Sequence, residues 1–246
     1  VPLVGEDSVH PTHLLAAALL AASASAAAEE EAARDYAEAL TATSAPDRMA
    51  EGWTSAADGS TAHTYLRHRT YVARAWADGG RPLADETAEP VPDGVRVCRD
   101  APPADGNRCA DLTGLAYEDG LVSDFRVDGL DPGPYLVEGG TDPASSAGTQ
   151  ATLLTAYRSV TGPVLVVVLG ISTKESVDLD LSGAVYRNPG DDEVRARAAG
   201  GERELDAGDD TQAALYFRDV DLGGEVTLTG CLEECSAFVD LTVPVP

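Results

Sequence analysis

Four cysteines are the residues with the most definite chemistry. Cys98 and Cys109 bracket RDAPPADGNR, a Pro/Gly-rich loop, and Cys231 and Cys235 bracket Leu232, Glu233 and Glu234. Four cysteines allow three connectivities, and sequence alone does not choose among them. Local pairing is the expectation, because each pair then falls inside one domain. Closing a loop of about ten residues stabilises by ~2–3 kcal/mol. The spacings C-x10-C and C-x3-C fit no standard zinc finger, and C-x3-C is not the C-x-x-C of thiol oxidoreductases. Disulfides are therefore expected, with no metal and no cofactor.

Other groups offer weaker chemistry. Asp178/Asp180, Asp191-Asp192-Glu193, Asp209-Asp210 and Asp219/Asp221 are acidic enough for calcium, but none completes the loop D-x-D-x-D-G-x5-E. NPGDDE at 188–193 is the best candidate, and a solvated turn is the preferred reading. There are four histidines: His10 and His13 near the start, and His63 and His68 within a helical pattern. No G-x-S-x-G elbow, P-loop or G-x-G-x-x-G stands in the chain, so no catalytic residue is assigned.

Arg69 is the exception to the patterning. At 100° per residue it falls on the apolar face of the segment 61–77, among Tyr65, Leu66, Val72 and Trp76. Such a guanidinium must reach water, meet a carboxylate or face a cavity. Pairing with Asp124 is the first expectation. An anion site lined by Arg69, Tyr65 and Trp76 is the functional alternative.

The elements that must carry these residues are legible from periodicity. Residues 29–42 read as a helix with Ala33, Tyr36, Ala37 and Leu40 on one face. A short helix with Met49 and Trp53 follows. A third helix runs over 61–77 with Ser60 as its N-cap and Gly79-Gly80 as its stop. From Arg81 the pattern turns to strands. Glu118-Asp119-Gly120 marks a tight turn that pairs 111–117 with 121–128. Residues 139–150, GGTDPASSAGTQ, read as a linker. Beyond it lie seven strand patterns, at 151–159, 164–172, 177–186, 193–198, 212–217, 225–229 and 237–243. Leu165 to Leu169 is continuously apolar, which places it centrally.

Composition bounds the setting. The net charge is −25 and Lys174 is the one lysine among 17 basic residues. Such a field repels nucleic acid and anionic membranes, so neither is expected as a partner. Residues 14–28, LLAAALLAASASAAA, combine an apolar run with the small-residue motif Ala24-Ser25-Ala26. This is the pattern of a secretory signal, although residues 1–13 hold Glu6 and Asp7 and no Lys or Arg. The run is too short and too alanine-rich for a transmembrane span.

Residues 59–62 (GSTA) with Tyr65, the Cys98/Cys109 pair and 120–129 (GLVSDFRVDG) resemble an NTF2-like domain. Residues 156–159 (AYRS), 185–187 (VYR) and Phe217 with Gly223-Gly224 resemble an immunoglobulin-like β-sandwich. The resemblance implies an exported two-domain protein. Residues 1–28 would be the signal-like segment, 29–138 an α+β NTF2-like cone of helices on a curved antiparallel sheet, 139–150 the linker and 151–246 the all-β sandwich. It implies no activity. The expected function is that of a secreted or cell-envelope-associated, non-catalytic binding protein whose partner is an extracellular protein or cell-wall component. The alternative is a small-molecule carrier or enzyme that uses the cone.

Overall fold

The computed structural model describes residues 12–99, 109–140 and 142–246, with side chains described from residue 27 onward except that of Glu234. Helix α1 spans Thr12–Thr41, α2 Pro46–Glu51 and α3 Thr61–Asp78, with a 3-10 turn at Gly52–Ser55. The signal-like residues from 12 to 28 form the first part of α1, which is therefore longer than the helix read from the sequence. Sixteen strands follow among the described residues: β1 Glu86–Val91, β2 Gly94–Arg99, β3 Cys109–Glu118, β4 Leu121–Val127, β5 Leu136–Glu138, β6 Ala144–Ser146, β7 Thr149–Arg158, β8 Val164–Thr173, β9 Val177–Leu179, β10 Val185–Arg187, β11 Glu193–Arg195, β12 Ala198–Gly200, β13 Glu204–Leu205, β14 Asp210–Arg218, β15 Glu225–Leu232 and β16 Phe238–Pro244.

The strands form three antiparallel sheets. The first is a meander, β1-β2-β3-β4. Its β3–β4 hairpin turns where the sequence placed it, with Asp119 and Gly120 both at positive φ (49° and 81°), as a type I′ turn demands. The second sheet runs β12-β14-β8-β7-β5, with β6 also on β7. The third runs β11-β10-β15-β9-β13, with β16 on the other side of β15. Leu165, Val167, Leu169 and Ile171 of β8 pack against Leu179, Tyr186, Leu228 and Leu241 between the second and third sheets. The intervening Val166 and Val168 turn the other way, toward Tyr71, Val72 and Ala75 of α3. The unbroken apolar run of β8 thus reflects a strand covered on both faces.

Helix α3 is capped as read: Ser60 Oγ accepts the His63 N–H at 3.1 Å. Its burial extends well beyond one stripe. Ala62, Tyr65, Leu66 and Ala73 join Tyr36, Leu40, Leu112, Phe125 and Val127 in a core on the first sheet, while Tyr71, Val72 and Ala75 join the second sheet.

That two-sided burial corrects the expected architecture. The chain is strand-dominated, about 45% strand against 24% helix, in three sheets. It does not form an NTF2-like α+β cone followed by an immunoglobulin-like sandwich. The physical reason is the sharing of elements between the halves. Helix α3 packs on both, and β5, which precedes the expected linker, hydrogen-bonds to β7, which follows it (Leu136 opposite Tyr157, Glu138 opposite Thr155). Residues 139–150 themselves hold β6 and the first residues of β7. A face that looks solvent-directed in one half is thereby occupied by the other half.

Candidate functional site

Arg69 is largely buried against the first sheet, and its partner is a carboxylate other than the expected one. Its Nη2 donates to Glu86 Oε2 at 2.7 Å, and Arg99 Nε donates to Glu86 Oε1 at 2.8 Å. The Glu86 side chain is 6% exposed and that of Arg69 16%, whereas Arg99 is 68% exposed. Glu86 opens β1 and Arg99 closes β2, and the two residues are register partners. The sheet therefore brings them together and α3 lowers Arg69 onto the pair. Burial pushes the Glu86 carboxyl up, and the two guanidinium groups more than offset this, holding it below its ordinary value. Burial likewise works against the charged Arg69, but Glu86 and then Tyr65 outweigh it and the arginine stays charged. Asp124 lies on the exposed side of β4, where its carboxylate accepts the Phe125 N–H.

Tyr65 stands beside this pair. Its ring meets Phe125 and Tyr157 edge-on, at 5.1 and 5.4 Å between centroids. Tyr157 belongs to β7, so Tyr65 packs simultaneously against the first and second sheets. Trp76 is directed elsewhere. Its indole N–H donates to Tyr216 Oη at 2.9 Å, and the Arg81 guanidinium lies 4.9 Å above its ring. Gly200 lies beneath it, where an added Cβ would come 2.8 Å from the ring. The structure therefore brings Arg69 and Tyr65 together and turns Trp76 onto β12 and β14. Each of the three has its polar atoms or its ring engaged by protein groups.

The sequence places His68 within a helical pattern, and the structure gives it a definite position. It is 2% exposed. Its Nδ1 lies 2.9 Å from Thr155 Oγ1 of β7, and its ring abuts Tyr157. Burial, with Arg69 as a second cause, depresses its pKa to about 3, so the imidazole is neutral. A base beside a hydroxyl has the form of an activated nucleophile. Here Thr155 is fully buried, and the pair instead ties α3 to the second sheet. The signal that could have found it is the histidine's spacing: His68 is three residues after Tyr65 and four before Val72, which puts it on a buried stripe.

A second polar cluster gathers around Arg67 of α3. The Arg67 guanidinium lies 5.5 Å from the rings of both Trp53 and Tyr71. It donates to Glu138 at 2.9 Å and to Tyr71 Oη at 2.8 Å. Trp53 in turn donates to Thr70 Oγ1 at 3.0 Å. His63 sits 3.6 Å from Asp58, and Arg74 pairs with Asp47. His63, Arg67 and Arg74 of α3 are thus all engaged by acidic neighbours.

Both disulfides are local, Cys98–Cys109 and Cys231–Cys235, and no described cysteine is free. Residues 188–193 form a turn closed by Asn188 N–H to Asp192 O and Asp191 N–H to Asn188 O, and Glu193 pairs with Arg187. Among the described residues, no group of three or more His, Cys, Asp or Glu is placed to hold a metal ion. Two open clefts are present. One of about 490 Å³ lies between Glu31, Asp35 and Glu38 of α1, Arg48 and Glu51, and the Gly120-Leu121 turn. The other, of about 540 Å³, lies between Lys174, Ser176, Ala207, Glu233 and Ser236. Neither is lined by Arg69, Tyr65 or Trp76. Among the described residues, no helix is long and apolar enough to cross a membrane. No family model and no curated protein sequence matches this chain.

Proposed function

We propose that this is an exported protein that acts outside the cytoplasm as a non-catalytic binding or envelope-associated module, with an extracellular protein or a cell-wall component as its partner. The observation that carries this reading is the pairing of all four cysteines as disulfides, bonds that persist in oxidising compartments and are rare in the cytosol. Two others support it. Arg69, the cation most suited to anchor an anionic ligand, is neutralised by Glu86 inside the core. Among the described side chains of α1, the buried ones begin at Ala32, so cleavage near Ala27 leaves every described core contact intact.

Fractionating native cells under conditions that block free thiols tests this directly. The protein is expected outside the cytoplasmic membrane, with its first residue near Ala27 and no alkylated cysteine. It is further expected to co-sediment with isolated cell envelopes. A cytoplasmic protein that retains residues 14–26 and carries four free thiols would overturn the reading.

A further inference from the structure

The two disulfides differ in what surrounds them. Cys98 and Cys109 are register partners on adjacent strands. Both are half-buried, and β2 and β3 are each paired on their other side as well, with β1 and β4. If that bond is reduced, the ladder still holds the two thiols opposite each other, at a high effective concentration for closing again. Cys235 has no such support. It lies beyond the end of β15 in a single 3-10 turn, Glu233–Cys235. It is exposed, and its φ is +52°. An L-residue with a side chain adopts that left-handed backbone at a cost, which opening of the turn relieves. Exposed and strained disulfides are the labile ones.

The turn is also attached to its surroundings. Glu233 N–H donates to Ser176 O at 3.1 Å, Ser236 N–H to Glu233 O at 3.1 Å and Leu232 N–H to Ala237 O at 2.9 Å. The first of these bonds ties the β15–β16 connection to the β8–β9 loop. Ser176, Glu233 and Ser236 all line the cleft of about 540 Å³ that also holds Lys174. Phe238, opposite Cys231 in the ladder, is 80% exposed beside it.

From these placements we infer that Cys231–Cys235 is a thiol-exchange site that opens before Cys98–Cys109, and that its opening loosens the rim of this cleft. The co-reactant is a dithiol. One of its thiolates attacks Sγ of Cys235, an exposed residue, and Cys231 leaves as a thiolate that takes a proton from solvent. The second thiol of the reagent, as its thiolate, then displaces Cys235, which is likewise protonated. Two electrons pass to the protein, and the reagent ends as its own disulfide. The open state frees Glu233 from Ser176 while the three sheets stay folded.

Graded reduction of the whole protein with dithiothreitol, followed by alkylation and peptide mass spectrometry, tests the order of opening. Half-modification of Cys231 and Cys235 is expected at a reductant concentration at least about fivefold below that for Cys98 and Cys109. In the selectively reduced protein, amide exchange over 174–178 and 232–237 should quicken about tenfold, with that of β7 and β8 unchanged. A double variant, Cys231→Ser with Cys235→Ser, should show the same exchange pattern with no reductant. Simultaneous opening of the two bonds, or opening of Cys98–Cys109 first, overturns the inference. So does unchanged exchange over 174–178 after reduction, or a double variant that fails to fold.

Discussion

His68 makes the stability of this protein depend on pH in a calculable way. In the unfolded chain its imidazole titrates near the ordinary histidine value of about 6.5. In the folded protein burial lowers this to about 3. Between those values the unfolded chain binds a proton that the native state refuses, so stability rises with pH across the window and falls as pH drops. The contribution is complete above about pH 6.5 and is lost progressively toward pH 3. Each unit inside the window is worth about 1.4 kcal/mol, so moving from pH 7 to pH 4.5 removes roughly 2–3 kcal/mol. For a chain of this size that lowers the Tm by roughly 5–10 °C.

The assay is urea unfolding at half-unit steps from pH 4.5 to 7, on the wild type and on His68→Gln. Glutamine keeps a polar group facing Thr155 and removes the titration. The net charge of −25 contributes an opposing trend, since protonating surface carboxylates relieves self-repulsion, and it is common to both proteins. The difference between the two curves isolates His68. Its slope against pH should correspond to about one proton below pH 6. Parallel curves would refute the reasoning, because they would mean that His68 titrates alike in the folded and unfolded states.

Glu86→Ala leaves Arg69 without its carboxylate in the core and should cost about 3–5 kcal/mol, whereas Arg69→Met, which leaves Glu86 its bond to Arg99, should cost distinctly less; chemical denaturation of both variants checks the order. Gly200→Ala places a methyl 2.8 Å from the Trp76 ring and should destabilise by about 1–3 kcal/mol as overpacking does, with a change in tryptophan fluorescence. Residues 29–138 expressed alone would expose Tyr71, Val72 and Trp76 and leave β5 unpaired, so a cooperative melting transition is expected only when 151–246 is present.

Much of the local structure was legible from the sequence because its causes are local. The N-cap at Ser60, the Asp119-Gly120 hairpin, the stop at Gly79-Gly80 and the central place of β8 each follow from a residue type and its immediate neighbours. The local pairing expected of the cysteines is the one the structure shows, Cys98 with Cys109 and Cys231 with Cys235, a choice among three connectivities that the sequence leaves open. The presence of a misfit at Arg69 was readable too, as a charge at an apolar phase of a helix.

Everything that depended on which face meets which was decided by tertiary structure. Periodicity identifies a helix with an apolar stripe, but α3 is covered on two sides, and a second covering partner leaves no separate mark in a pattern that already mixes Ala, Thr, Tyr and His. Arg69 therefore met Glu86, set in place by the β1–β2 register, rather than Asp124, whose strand phase turns it outward. Trp76 left the expected ligand set because Gly200, more than a hundred residues away, makes room for its ring. A strand's own sequence specifies its alternation but not the sheet edge it joins, and so β5 paired across the expected linker. The sequence by itself determined the long elements, their caps and tight turns, and the net charge, while it read 177–186 as one strand where β9 and β10 flank a 3-10 turn. Tertiary structure decided how the sheets share α3, and with that the fate of every polar group buried between them, because burial on both sides of an element is a property of contacts between distant segments.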